Sequence, residues 1–137
     1  MLEFAAIAPL IFLFLFVIVD FGIALDRRIT LQHAVREGAR YAAVTADPNQ
    51  VVTTTFAQSQ GVLDSPAKVI VCYEDRNGNM TVGDVGDAVR VKASFDYDFP
   101  IFSGFFSIFG GDPVTIDMSP SATGRLELSV PGATACP

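Results

Sequence analysis

From Phe4 to Leu25 the chain is almost unbroken apolar sequence, FAAIAPLIFLFLFVIVDFGIAL, opened by a single acid, Glu3. A helix rises ~1.5 Å per residue and the hydrocarbon core of a bilayer is ~30 Å thick, so this run predicts a membrane-spanning helix. The periodicity then continues without a break. Leu25, Ile29, Gln32, Val35 and Ala39 recur at spacings of three and four, as do Leu31, Val35, Gly38 and Ala42. Arg27, Arg28, Arg36, Glu37 and Arg40 fall largely off that stripe. The spacing predicts one helix from about Leu2 to Val44, ~65 Å long, apolar all round in its first half and amphipathic in its second. Pro9 removes a backbone donor inside the first half and predicts a kink there.

Asp47-Pro48 reads as an N-cap followed by proline at the first helical position. The following NQVVTTTFAQSQGVL predicts a short second helix that ends at Gly61 and turns Val52, Phe56 and Leu63 to the core. After Asp64-Ser65-Pro66 the period changes to two. AKVIVCYE predicts a strand, and AVRVKASFDYDF a second one, alternating Val89, Val91, Ala93, Phe95 and Tyr97 with polar neighbours; PVTIDMS and SATGRLELSV supply two more. Four strands and a packed helix predict an α+β fold: a long transmembrane-plus-amphipathic helix on a small antiparallel sheet domain with one short extra helix. The organisation expected is 1–25 as transmembrane segment, 26–46 as its amphipathic continuation and 47–137 as an extracytoplasmic α+β domain. Between the second and third strands, PIFSGFFSIFGGD reads as an apolar loop, either wrapped over the sheet edge or in contact with a partner or membrane surface.

Charge narrows the partners. The chain carries a formal net charge of -6, and its arginines crowd just beyond the apolar run. The acidic remainder lacks the Lys/Arg density that phosphate neutralisation requires, which argues against nucleic acid. The apolar run is too long for a secretory signal peptide, has no Lys or Arg before it and leads directly into more helix, so an uncleaved anchor is expected. Arginines on its C-terminal side would alone place that side in the cytoplasm. The cysteines and the acidic domain argue the opposite, and an extracytoplasmic C-terminal domain is the expectation. Cys72 and Cys136 show no metal-ligand spacing and are expected to form one disulfide in an oxidising compartment; two free thiols are the alternative.

Catalytic chemistry has little to build from. His33 is the only histidine, no Gly-rich phosphate loop is present, and no paired carboxylates sit in an apolar setting. No enzyme, no cofactor and no small-molecule substrate are expected. Asp75, Asn77 and Asn79, with Asp84, place oxygen ligands at the alternate positions a calcium loop uses, but Met80 stands where the sharp-turn glycine belongs and Gly86 where the bidentate Glu belongs. A hairpin connection built on Asn77-Gly78 is the preferred reading. Within the apolar run, Asp20 is costly unless its carboxylate reaches water or a partner. Glu3 can accept a charge-assisted bond from a neighbour's terminal amine or stabilise its own helix N-terminus.

The combination of Glu3-Phe4, Pro9, Asp20-Phe21-Gly22 and Leu31-Gln32-His33-Ala34-Val35-Arg36-Glu37-Gly38-Ala39-Arg40-Tyr41-Ala42-Ala43 resembles TadE-like proteins, pilin-related single-span proteins of the tight-adherence (Tad) pilus machinery. Val82-Gly83-Asp84, the strand ending Phe95 to Pro100, and Ser121-Ala122-Thr123 before Arg125-Leu126-Glu127 are similar to the family's looser C-terminal pattern. The resemblance implies a minor pilin or pseudopilin whose partners are other pilin subunits, the assembly machinery and the membrane. It assigns assembly and register to Glu3, Phe4 and Asp20. The family's helix motif falls on Leu31, Gln32, Ala34, Arg36, Glu37, Gly38, Ala39 and Arg40. In such families a prepilin peptidase leaves an acid at the fifth mature position followed by Phe; Glu3-Phe4 has that order two residues early, and Asp20 replaces a more usual Glu. Helices would pack through Ala5, Ala6, Ala8, Gly22 and Ala24. The alternative is a membrane-tethered extracytoplasmic binding module or adhesin outside any filament.

Overall fold

A computed structural model describes residues 2–108 and 110–137, apart from the side chains of Leu2, Glu3, Ala5, Ala6 and Phe106. Helix α1 runs Leu2–Ala42 without interruption and contains Pro9. The chain divides into two compact units, Met1–Arg27 with Asp96–Asp117, and Arg28–Phe95 with Met118–Pro137.

The larger unit holds the second part of α1, helix α2 (Pro48–Gln58) and strands β1 (Val69–Glu74) and β2 (Ala88–Ala93). A three-stranded sheet of order β1-β2-β5 is completed by β5 (Ser121–Arg125). Both pairings are antiparallel, with Val69 opposite Ala93 and Ala88 opposite Arg125 at their ends. Leu31, Val35, Ala39 and Ala42 of α1 meet Val89, Val91 and Leu126 in one core, as expected of a sheet face covered by an amphipathic helix. Two glycines set how close the layers come. A Cβ on Gly38 would collide with the Thr55 hydroxyl of α2, and one on Gly124 of β5 would stand 2.6 Å from the Ala39 carbonyl oxygen. Thr55 tolerates complete burial because its hydroxyl donates to the Val51 carbonyl at 2.8 Å.

Cys72 and Cys136 form a disulfide across 64 residues. The tail beside it makes a parallel bridge to β1, with the Tyr73 amide donating to Thr134 and the Cys136 amide to Tyr73. Closing a loop of this length stabilises the fold by roughly 4 kcal/mol in the chain-entropy model.

Three expectations change in this unit. The buried stripe of α1 follows Leu31, Val35, Gly38 and Ala42, whereas Ile29 is exposed, as is Leu25 in the smaller unit. Helix α2 buries Val51 and Thr55, with Ser59 buried just past its end, leaving Val52 and Phe56 half-buried at the core's margin, because the small contact at Gly38 draws in the Thr55 side. The long second strand breaks at Ser94, whose amide donates to Lys68, and its continuation β3 (Phe95–Asp98) pairs with β4 (Thr115–Met118) in a separate two-stranded sheet. Among the described residues, five strands in two sheets therefore replace the expected four in one. Alternation reports which face is buried and is blind to a change of partner strand.

In the smaller unit, the Phe-rich excursion is not a loop but a helix, α3 (Pro100–Ile108). The Phe99 amide donates to the Val114 carbonyl at 3.1 Å, and the Val114 amide to Ser103 Oγ at 3.0 Å, which ties both ends of the excursion together.

Candidate functional site

The first part of α1 presents large apolar side chains outward along its length. Phe4 is 75% exposed, and Ile7, Leu10, Phe12, Phe14 and Ile18 are also exposed. Among the described residues one stretch, Ile7–Ala42, is long and apolar enough to cross a membrane, with a mean hydropathy of 2.6 in its most apolar window. Only 11% of that window is buried, unlike the enclosed core helix of a soluble protein. Gly22 lies open, with nothing near an added Cβ, whereas Ala24 is buried and Ala8 half-buried. The side chains of Glu3, Ala5 and Ala6 lie outside the described residues.

Asp20 departs from this outward pattern. It is 1% exposed, and its Oδ2 accepts from the amides of Ile101 at 3.1 Å and Phe102 at 2.8 Å. Those amides belong to the first turn of α3, where a helix has no internal partners for its donors and carries partial positive charge. Pro100 stands at the start of this helix, and the preceding Phe99 has no side-chain acceptor. A carboxylate more than eighty residues upstream thus takes the place of a local N-cap. Asp20 Oδ1 is buried with no hydrogen-bond partner among the described residues. It borders an apolar cavity of about 180 Å³ whose walls include Val17, Phe21, Phe99 and Phe102. Phe21 stacks on Phe99 at 6.0 Å, and Tyr97 meets Phe99 edge-on at 5.1 Å. Burial, with the Asp20 charge adding and Arg27 opposing, raises the Tyr97 phenol above its ordinary 10.0.

The sequence required the Asp20 carboxylate to reach either water or a partner. In the structure the partner is the first turn of α3. Neither Asp20 nor α3 predicts the other, because Asp98 lies closer to Pro100 in sequence and is the cap a local pattern would choose; Asp98 is exposed.

The helix motif separates by environment. Leu31, Ala34, Gly38 and Ala39 are buried, Gln32 is half-buried, and Arg36, Glu37 and Arg40 are exposed, as is His33. Its small and apolar positions thus seat α2 and β5, leaving the charged ones to water.

The Asp75 loop is closed on itself. Asp75 accepts from the amides of Gly78 at 2.7 Å and Met80 at 2.8 Å, and Asp84 Oδ2 accepts from the Asn79 side chain at 2.8 Å. The Thr81 hydroxyl and then the Asn79 amide hold the Asp84 carboxyl below its ordinary range. Met80 takes φ 64, so it adopts the left-handed turn usually given to glycine, with its side chain 95% exposed. Asp87, fully buried, fixes both ends of the loop by accepting from the Arg76 and Asp84 amides at 3.1 Å each. In sequence Asp87 was, like Asp84, only a possible completing ligand for a calcium shell; its carboxylate is instead taken up by these two amides. Among the described residues, no group of three or more His, Cys, Asp or Glu is placed to hold a metal ion.

Comparison with curated proteins and with solved structures returns no match. A family model described as TadE-like protein matches residues 1–40. That interval contains the exposed large apolar side chains described on α1 and the Gly38 contact that seats α2, and over these residues the chain is similar to TadE-like proteins.

Proposed function

We propose that this chain is a minor pilin or pseudopilin that takes part in assembling a Tad-type adhesive pilus, through packing of its N-terminal helix against equivalent helices. The observation that carries this is the coincidence of the family match over residues 1–40 with a helix whose large apolar side chains face outward. In lipid those side chains are solvated. In a filament they exchange lipid for other helices, an association governed by close packing, for which the open Gly22 leaves room. Glu3 compensates a neighbour's terminal amine and sets axial register, and Phe4 adds an exposed contact beside it. The protein sits in the cytoplasmic membrane as a single-pass protein with its disulfide-bearing unit outside the cytoplasm, since such bridges persist in oxidising compartments.

The test is purification of pili from cells producing the tagged protein, followed by mass spectrometry. We expect the chain in the pilus fraction and expect Glu3→Ala to remain membrane-inserted while its incorporation falls. Undiminished incorporation of Glu3→Ala removes the register role. A protein that stays in the membrane while pili form without need of it points to a tethered module outside the filament.

A further inference from the structure

The span accounts for the first part of α1 and leaves α3 without an explanation. Between Asp98 and Asp112 the sequence has no charged side chain and five phenylalanines. On this helix Phe105 and Ile108 are exposed, Ile108 by 79%. Water is a poor environment for such a surface, and an isolated apolar patch this dense on a protein marks a contact.

The backbone of α3 indicates which contact. In hydrocarbon every amide needs a partner within the protein, because no water can serve. At the entrance to α3 that requirement is met residue by residue. The Phe99 amide donates to Val114, Pro100 has none to donate, Ile101 and Phe102 donate to Asp20, and Ser103 donates to Phe99. A water-facing helix start has no need of a buried carboxylate brought from another helix. The Ser103 and Ser107 hydroxyls are also bound internally, the first accepting from Val114 and the second donating to Gly104.

Position supplies the second argument. Asp20 lies about five residues inside the C-terminal end of the apolar run, or ~7 Å along the helix, so its hydrogen bonds hold the start of α3 at a level where α1 is still apolar. The lipid that surrounds the span there also surrounds what is bonded to it. At nine residues α3 is ~14 Å long, too short to cross a bilayer and of the length expected for an interfacial or re-entrant segment.

We propose that α3 is a second membrane-embedded element, a short helix lying among the acyl chains of the leaflet at the C-terminal end of the span and seated there by the Asp20 carboxylate. This goes beyond the pilin assignment but rests on its premise that α1 spans a bilayer. The chain would hold its membrane at two places, and the Phe-rich surface would have to leave lipid together with the span on entry into a filament.

The chain has no tryptophan, so single replacements give clean fluorescent reporters. Full-length protein would be placed at one copy per nanodisc, in phosphatidylcholine with or without mid-chain bromination, carrying Phe12→Trp, Ile108→Trp or Ile70→Trp. We expect brominated lipid to at least halve emission from positions 12 and 108 and to leave position 70 unaffected, and aqueous acrylamide to do the reverse. Quenching at 12 but not at 108 overturns the inference and leaves the span standing, whether acrylamide reaches position 108 or protein covers it. Absence of lipid quenching at 12 overturns both. In the Ile108→Trp background, Asp20→Ala should weaken lipid quenching and Asp20→Asn, which keeps an acceptor oxygen, should largely retain it. Unchanged quenching in Asp20→Ala overturns the seating role, with the position 70 reporter verifying that the larger unit remains folded.

Discussion

Helices α2 and α3 begin alike and are built differently. Each starts on a proline, and each has its first free amides answered by an aspartate. For α2 the aspartate is Asp47, whose Oδ1 accepts from Asn49 two residues on at 2.9 Å. For α3 it is Asp20, contributed by a different helix. A local cap fixes where a helix starts and nothing more. A remote cap also fixes where the helix lies, because it fastens two distant stretches of chain at one point. The price of the remote arrangement is burial of a carboxylate in apolar surroundings, which is tolerable only while its hydrogen bonds hold.

The sharpest way to break this contrast is Asp20→Ala. It removes two charge-assisted bonds and strands two amides in an apolar setting, at a cost of about 3 kcal/mol. Hydrogen exchange at Ile101 and Phe102 should accelerate by on the order of 100-fold, with the β1-β2-β5 amides unmoved. Equal acceleration across both units would mean that Asp20 supports the whole fold and not α3 in particular.

Gly38→Ala tests what seats α2 in the absence of a remote cap. The added methyl meets the Thr55 hydroxyl, so α2 must shift, and we expect a loss of about 2 kcal/mol in denaturant unfolding of the larger unit. Combining it with Thr55→Ala should recover part of that loss; no recovery would place the strain elsewhere.

Asp47→Ala should cost about 1 kcal/mol and loosen only the first turn of α2, seen as modestly faster exchange at Asn49. An effect as large as that of Asp20→Ala would erase the distinction between the two caps.

The smallest effect concerns pH. Burial first, and the charge of Asp47 second, raise the Tyr73 phenol above its ordinary 10.0. The folded state holds that proton more tightly than the unfolded one, so the stability it contributes is complete below pH 10 and is lost as pH climbs through the raised value. Asp47→Ala removes the second cause, and tyrosinate absorbance at Tyr73 should then appear at lower pH than in the wild type. An unshifted titration would leave burial as the sole cause.

How much of this the chain announces follows from the same contrast. Leu31, Val35, Gly38 and Ala42 declare their buried stripe by spacing, Asp47-Pro48 declares α2, and β1 declares itself by alternation, because each signal lies within a few residues of what it controls. The disulfide was legible because two cysteines permit one pairing. The inner face of α2 was not, since Val52 and Phe56 are the larger apolar residues and only the contact with Gly38 selects Thr55 instead. Nor was the division at Ser94, where an unbroken two-residue rhythm passes from one sheet to another.

Sequence by itself determined that an apolar rod leads into an amphipathic one and that α and β elements follow. These are properties of composition and short-range periodicity, and neighbours along the chain suffice to fix them. Tertiary structure decided the fate of Asp20 and the Phe-rich segment. A lone acid and a greasy stretch eighty residues apart have no local reason to be read together, and only the unsatisfied amides of a helix start, brought within 3 Å or so of a carboxylate, join them.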